Sequence, residues 1–404
     1  MKPFSFVHAA DLHLGYQQYN LDTRREDFHR AFQEIVEKTL ELKPDFMIIA
    51  GDLFQHARPS NSTLENAITG FRRLKDTGIA VLTVDGSHDA APNTITGTIL
   101  NPLDKAGLIY YLPRHEAACW TREDCYVYGI PNLRTRRRTE EQLPSYYELK
   151  KPKPNPDSFN IFVFHMALEM PSIMKRQPGM EAEITSELMP EGFNYYAGGH
   201  IHSPIQVQFK GGTLVYSGCT ETVSYEDADV KKGFYHVEVD GNGTPHINRI
   251  RLESPRPFIV LDNDYTGLKP SRITELAVQS VRRNDEPGAV VLPVLRGVLP
   301  AESSRREIDL VRIRNAAEKS LLVRPILQMR ESSIPEEVVR SIFDSKLEDL
   351  RAKAFAFFSQ FFSQRYPKED ADRYARLALD MIPSLTQNDE DKVRGLLEAA
   401  LGEG

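Results

Sequence analysis

The chain has 404 residues, 41% of them hydrophobic and 26% charged, with a formal net charge of −7. Its length predicts roughly two or three domains of ordinary globular composition, and its acidic balance argues against a protein that coats nucleic acid non-specifically. Three cysteines, Cys119, Cys125 and Cys219, show no CxxC spacing, which argues against a disulfide framework or a thiolate metal centre and favours a reducing compartment.

The opening MKPFSFVHAADLHLG reaches polar residues too soon for a signal-peptide core, and no run approaches the length of a membrane span. A soluble, intracellular protein with no membrane partner is expected. β-rich runs then alternate with helical patterns: a strand over Phe4–His8, a helix over Asp27–Leu42, a strand over Phe46–Ala50, a helix over Leu64–Thr77 and a strand over Ile79–Val84. That rhythm predicts βαβ units. Further strands are predicted at Tyr126–Ile130, Asn160–Phe164, Tyr195–Ala197, Ile205–Phe209, Thr213–Tyr216 and Gly233–Val239. Between Asn132 and Ser158 a run rich in Arg, Lys and Pro reads as an extended surface loop, and its Arg134, Arg136, Arg137 and Arg138 are either solvated or in contact with a phosphate backbone.

After Glu253 the pattern becomes α+β, with strands at Phe258–Asp262, Ala289–Leu295 and Leu321–Gln328 around helices at Arg272–Arg283 and Ile308–Lys319. From Ile334 it turns helical. Val338, Val339, Ile342, Phe343, Leu347, Leu350, Phe355, Phe358, Phe361 and Phe362 keep an i, i+3, i+4 stripe, followed by a helix over Glu369–Ile382 that stops at Pro383 and another from Asn388 to Leu401.

Polar clusters follow five of the strands: Asp11 and His13; Gly51 and Asp52; Gly86, Ser87, His88 and Asp89; His165; and Gly199, His200 and His202. Strand carboxyl ends in an α/β sheet converge on one crevice, so the five groups are expected to face one another. Carboxylate and imidazole donors without thiolate suit manganese, iron or zinc. Asp52 is the natural bridge between two cations, because a carboxylate has two oxygens. Glycines at 51, 86 and 199 are expected to let backbone approach the metals. Any one of these clusters alone is a cap or a turn; the ordered set of five is not.

DLHLG, GDLF, GSHD, FHMA and GGHIHSP, in that order, resemble the calcineurin-like metallophosphoesterases. The longer DLHLGY, AGDLFQHARPS and YYAGGHIHSP narrow the resemblance to the Mre11/SbcD family of DNA double-strand-break repair nucleases, in its archaeal form. The resemblance implies a layered β-sandwich flanked by helices over 1–254, a small α+β capping domain that contacts DNA over 255–332, and a C-terminal helical extension over 333–404 that grips a Rad50-type ATPase. It implies a homodimer, DNA ends as substrate, two manganese ions per chain, 3′–5′ exonuclease and single-strand endonuclease action, and a cytoplasmic, nucleoid-associated location.

Residue by residue, the resemblance assigns one metal to Asp11, His13, Asp52 and His202, the other to Asp52, Ser87, His165 and His200, and the catalytic imidazole to His88. Two positions depart from the family. Ser87 stands where Asn is usual, with an oxygen closer to the backbone that ligates either directly or through water. Gln55 stands where a phosphate-orienting histidine is usual, so that Gln55 or the neighbouring His56 is the candidate for that role. His8, His29, His115, His236 and His246 read as structural or surface residues. Arg251, Arg256, Arg282, Arg283, Arg305 and Arg306 are either a solvated face or phosphate contacts. The rival functions are a stand-alone phosphodiesterase of small nucleotides, which would share the metal ligands, and a DNA-end tethering scaffold with weak catalysis.

Overall fold

A computed structural model describes residues 1–90, 97–174, 180–301, 303–331, 347–363, 366–386 and 390–401. The chain forms two compact units, Met1–Ile259 with Gly288–Val290, and Val260–Pro287 with Val291–Gly404.

In chain order the first unit runs β1 (Phe4–Ala9), α1 (Asp22–Leu42), β2 (Phe46–Ala50), α2 (Asn61–Asp76), β3 (Ala80–Val84), α3 (Leu100–Lys105), β4 (Tyr110–Tyr111), β5 (Cys119–Arg122), β6 (Cys125–Gly129), α4 (Arg136–Leu149), β7 (Phe159–His165), α5 (Pro171–Met174), β8 (Tyr195–Gly199), β9 (Ile205–Phe209), β10 (Gly212–Tyr216), β11 (Gly233–Val239) and β12 (Pro245–Arg251). Two six-stranded sheets result, ordered β12-β11-β1-β2-β3-β4 and β5-β6-β7-β8-β10-β9. β1 to β4 are parallel, as are β6, β7 and β8.

The sheets face each other across a shared core that includes Phe6, Ile48, Leu82 and Val84 from one and Val127, Ile161, Val163 and Val215 from the other. The outer face of the first sheet is covered by α1, α2 and α3 through Phe32, Ile35, Phe71, Leu74 and Leu103. Phe162, Phe164, Tyr196 and Leu214 on the outer face of the second sheet pack with Leu143 of α4 and Ile173 of α5. The result is a helix–sheet–sheet–helix sandwich, and strands buried on both faces explain the near-continuous apolar runs FMIIA and NIFVF. Each large side chain buried this way contributes about 1.5–3 kcal/mol.

Several predicted elements shift for identifiable reasons. α1 begins at Asp22, five residues before the expected start, because Arg24 is buried rather than solvated. Its guanidinium donates to Gln18 Oε1 at 2.9 Å, Asp27 Oδ2 at 2.5 Å and Glu221 Oε1 at 3.2 Å. Arg256 donates to the same Asp27 carboxylate at 2.5 and 2.7 Å and to the Gly288 carbonyl at 2.6 Å. Arg256 is therefore committed to this ion cluster, and its reading as a phosphate contact is corrected.

The basic stretch between Asn132 and Ser158 is a loop only after Leu149; its arginine-rich first part is not. It folds as α4, capped by the Thr135 hydroxyl, which accepts the Arg138 amide hydrogen at 3.4 Å. Its inward residues are Thr139, Leu143, Tyr146 and Tyr147, a narrow i, i+4, i+7, i+8 stripe diluted by charge and interrupted by Pro144. Arg136 pairs with Glu140 and Glu169, and Arg137 with Glu141, so these guanidiniums carry local counter-charges. Arg134 donates to the Ala90 carbonyl at 3.0 Å, and Arg138 is exposed.

The second unit includes α6 (Pro270–Arg283), most of β13 (Phe258–Asp264) and β14 (Val290–Leu299), α7 (Leu310–Arg314), β15 (Leu322–Val323) and β16 (Ile326–Glu331). The expected strand Leu321–Gln328 is split, since Arg324 and Pro325 separate β15 from β16. The expected helix Ile308–Lys319 shrinks to α7, because the Asp285 carboxylate accepts the amide hydrogens of Glu318, Lys319 and Ser320 and holds that segment as a turn. α8 (Leu347–Ser363), α9 (Lys368–Thr386) and α10 (Glu390–Leu401) follow. α9 continues past Pro383, although a proline forfeits its own amide bond and crowds the carbonyl four residues before it; α9 packs along α8 through Phe362 and Tyr374, ring centroids 5.8 Å apart. Val338, Val339, Ile342 and Phe343 lie outside the described residues.

Candidate metal centre

All five polar clusters sit at carboxyl ends of β1, β2, β3, β7 and β8, where the two sheets bring their parallel strands to one edge. Pairing continues past the strands themselves. The amide of Leu12 and that of His13 donate to the Asp52 carbonyl at 3.0 Å, and the amide of Gln55 donates to the Leu14 carbonyl at 3.0 Å. The loops after β1 and β2 are thereby zipped, which fixes Asp11 and His13 against Asp52.

Side-chain donors converge in overlapping sets. Asp11, His13 and His202 each offer an atom within 4.8 Å of the others, as do Asp11, Asp52 and His165, and His13, Asp52 and His88. His165 Nε2 lies 3.2 Å from Asp52 Oδ2 and 3.9 Å from Asp11 Oδ1; His13 Nε2 lies 3.9 Å from Asp52 Oδ2; His202 Nε2 lies 4.0 Å from Asp11 Oδ1. Two ligand atoms each about 2.1 Å from a shared cation lie roughly 3.0–3.4 Å apart, so modest inward adjustment would complete coordination. His13 Nε2 and His165 Nε2 are buried without a hydrogen-bond partner, while each ring's Nδ1 is engaged, by Gln55 Oε1 and by the Ala50 carbonyl, both at 2.8 Å. Orphaned imidazole nitrogens beside shared carboxylates fit a divalent cation.

The electrostatics agree. Burial would lower the pKa of His165, but Asp52 and Asp11 outweigh it and raise it to about 10: the two carboxylates demand a positive charge between them. Burial pushes His13 and His200 down to about 3, which keeps their lone pairs available. Burial raises the Asp11 carboxyl, whereas at Asp52 the effect of burial is overcome by His165 and His13, which hold it well below the carboxylate range.

Backbone geometry is equally specific. Asp11, His13, Asp52 and His200 all adopt positive φ, at 55°, 46°, 48° and 89°, a region that costs non-glycine residues of order 1–3 kcal/mol and clusters at functional sites. The glycines have a different reason from the one expected. A Cβ on Gly86 would lie 2.1 Å from Asp52 Oδ1, and one on Gly51 would lie 2.4 Å from His165 Nδ1. Gly86 and Gly51 thus make room for the Asp52 and His165 side chains, and Gly199 for the Ala50 carbonyl, which a Cβ would meet at 2.0 Å.

His200 lies outside the converging His, Cys, Asp and Glu donor sets among the described residues. The His200 amide donates to both Asp11 oxygens, at 3.1 and 3.2 Å, and its ring sits beside that of His165 at 5.2 Å. The Ser87 hydroxyl donates to Asp52 Oδ2 at 3.4 Å. His88 is exposed; its amide donates to Asp52 Oδ1 at 2.8 Å, and its Nδ1 lies 3.0 Å from the Gln55 carbonyl oxygen. Gln55 supports His13 through its side chain and His88 through its carbonyl, and His56 is exposed on the adjoining turn.

The sequence reading passes over two carboxylates, Asp227 and Glu183, and names a third, Asp89, without a role. Asp89, the last residue of GSHD, is fully buried and accepts the amide hydrogens of Gly86 and Leu53, both at 2.7 Å, and of Phe54 at 3.3 Å. Asp227 Oδ2 lies 2.9 Å from His202 Nδ1, and Glu183 Oε2 lies 3.4 Å from His200 Nε2. The SYED cluster containing Asp227 follows no strand directly, so the strand-end rule passes over it. Cys219 falls near His202 and Asp227, but burial pushes its thiol up to about 12 and Lys232 Nζ donates to it at 3.5 Å, which makes it a poor ligand.

A model of the calcineurin-like phosphoesterases matches residues 4–204, the stretch that carries every one of these strand-end clusters. The DNA double-strand break repair protein Mre11 of Methanocaldococcus jannaschii is 33% identical over 69% of this chain and 73% of its own, and that of Methanococcus maripaludis 32% identical over 64% and 71%. The chain belongs to the Mre11 family. The similarity extends through the second unit: Mre11 of Sulfolobus acidocaldarius is 24% identical over 98% of both chains. As an Mre11 family member the protein is a metal-dependent phosphodiesterase, and the described residues contain no helix long and apolar enough to cross a membrane.

Proposed function

We propose that this Mre11-type chain is a manganese-dependent nuclease that processes DNA ends in double-strand-break repair, with 3′–5′ exonuclease and single-strand endonuclease action. The observation that carries the reading is the convergence of Asp11, His13, Asp52, His165 and His202, with two orphaned imidazole nitrogens, inside the span that matches the phosphoesterases. In this reading one manganese ion is held by Asp11, His13, Asp52 and His202, and a second by Asp52, Ser87, His165 and His200.

When bound, the two cations supply Lewis acidity that makes water nucleophilic at neutral pH and screens the phosphodiester's charge. The chain does the rest. Asp52 presents Oδ2 to the His165 side, while its Oδ1 accepts the His88 amide hydrogen and so fixes the turn that carries the catalytic imidazole. With Nδ1–H given to the Gln55 carbonyl, His88 in its imidazolium form would hand its Nε2 proton to the departing sugar oxygen and be left neutral.

In this proposal residues 1–254 form the nuclease domain, 255–332 a DNA-contacting cap and 333–404 the partner-binding helices. Support for the last comes from an apolar groove along α8 and α9, lined by Phe358, Phe362, Tyr374, Leu377 and Met381, which suits an amphipathic coiled-coil helix of a Rad50-type ATPase. The protein works as a homodimer in the cytoplasm, at the nucleoid.

The test is purified protein with manganese, offered duplex DNA ends, single-stranded DNA and a small phosphodiester, with and without a Rad50-type partner. Cleavage of DNA that EDTA abolishes and manganese restores is expected. Hydrolysis of the small phosphodiester alone would overturn the proposal in favour of a small-nucleotide phosphodiesterase.

A further inference from the structure

The two histidines of GGHIH are held from opposite ring positions, and neither support is marked by a motif. At His202 the engaged nitrogen is Nδ1, 2.9 Å from Asp227 Oδ2. That carboxylate oxygen also accepts the Ser224 amide hydrogen at 2.9 Å, and the Asp227 carbonyl is gripped by the buried Lys232 ammonium. Asp227 is thus fixed at its carboxylate and at its carbonyl before it meets the imidazole. At His200 it is Nε2 that lies near a carboxylate, 3.4 Å from Glu183 Oε2, and the same oxygen accepts the Ala167 amide hydrogen at 3.1 Å. Ala167 lies two residues beyond His165, so Glu183 ties the His200 ring to the end of β7.

A carboxylate beside one nitrogen of a neutral imidazole holds the hydrogen there and leaves the lone pair on the other nitrogen. Accordingly, we propose that Glu183 and Asp227 are positioning residues that give the two histidines opposite donor atoms, His200 binding its cation through Nδ1 and His202 through Nε2. His202 Nε2 already faces Asp11 Oδ1 at 4.0 Å, in keeping with that assignment. The His200 ring meets that of His165 edge to face, with centroids 5.2 Å apart. With identical tautomers, two histidines separated by one residue would present the same nitrogen from neighbouring positions. Opposite tautomers let one short segment serve two cations. The inference rests on the two-cation reading above and adds the residues that set its donor atoms.

The experiment combines two readouts on the full-length protein. Long-range proton–nitrogen correlation spectra of the metal-free protein report the tautomers, and calorimetric titration with manganese reports the sites. Wild type is expected to carry the hydrogen on Nε2 of His200 and on Nδ1 of His202. Glu183→Leu and Asp227→Leu are each expected to mix the tautomer of their own histidine only and to weaken one manganese site by about 10- to 100-fold. Glu183→Gln and Asp227→Asn, which keep a carbonyl acceptor, are expected to recover most of that loss. A purely structural role would lower the melting temperature without moving the tautomers.

Leucine variants that match wild type in both readouts would overturn the inference while leaving the two-cation reading standing. A wild type that takes up no manganese would overturn both. Should the leucine variants fail to fold, the wild-type tautomers decide alone: a hydrogen on Nδ1 of His200 or on Nε2 of His202 refutes the assignment.

Discussion

Asp89 ties two strand-end loops together: its Oδ2 accepts the Leu53 amide hydrogen at 2.7 Å, while its Oδ1 accepts that of Gly86 at the same distance. Leu53 adjoins Asp52, and Gly86 adjoins Ser87, so one buried carboxylate fixes the spacing between Asp52 and the turn that carries His88. Asp89→Asn retains shape but replaces one acceptor with a donor that faces backbone N–H groups. It is expected to cost about 1–3 kcal/mol in denaturant unfolding and to weaken manganese binding measured by calorimetry. Unaltered stability and affinity would mean that the loops hold their spacing without it.

Ser87 donates its hydroxyl to Asp52 Oδ2, the oxygen nearest His165 Nε2. A longer amide at this position would extend a neutral oxygen toward the cation while keeping a donor near Asp52. Ser87→Asn is therefore expected to lower the manganese concentration that gives half-maximal cleavage, read from a metal titration of nuclease rate. An unchanged titration would remove Ser87 from the coordination scheme.

His88 is fixed by its amide on Asp52 and its ring on the Gln55 carbonyl, so its side chain can be removed without disturbing the donor set around Asp11 and His165. His88→Ala is expected to reduce kcat by about 10²- to 10⁴-fold with manganese uptake intact. Loss of manganese uptake in that variant would instead make His88 a ligand, an arrangement its proximity to His13 and Asp52 also permits.

Asp285 gathers the amide hydrogens of Glu318, Lys319 and Ser320 and the Ser320 hydroxyl, and the Glu318 amide above all lowers its pKa to about 2. A depressed carboxyl favours the fold wherever the unfolded chain would bind the extra proton, so its contribution is present above an unfolded pKa near ~4 and lost as pH falls to about 2. Asp285→Ala is expected to melt below wild type at pH 7, with the gap closing between pH 4 and 2. A gap that persists at pH 2 would assign the effect to packing.

What could be read from the sequence followed from periodicity and from strand-end position. The apolar runs FMIIA and NIFVF are strands because both their faces are buried, and the candidate residues Asp52 and His165 stand out because each lies at the end of such a run. What could not be read depended on partners distant in sequence. Arg24 looks solvated until Glu221 is folded onto it, α4 looks like a loop until its glutamates neutralise its arginines, and Asp227 carries no signal until His202 arrives beside it. The glycine pattern was visible, but its cause was not, because a missing Cβ reveals that space is needed and not what fills it.

The left-handed backbone at Asp11, His13, Asp52 and His200 sets the polypeptide's own preferences against its ligands. Glycine at any of the four would relax the chain while deleting a donor, so a crippled centre can belong to a hardier protein. If these four side chains hold cations as proposed, thermal robustness is a poor guide to function in this chain, and a stabilised variant warrants suspicion at these four positions before any other.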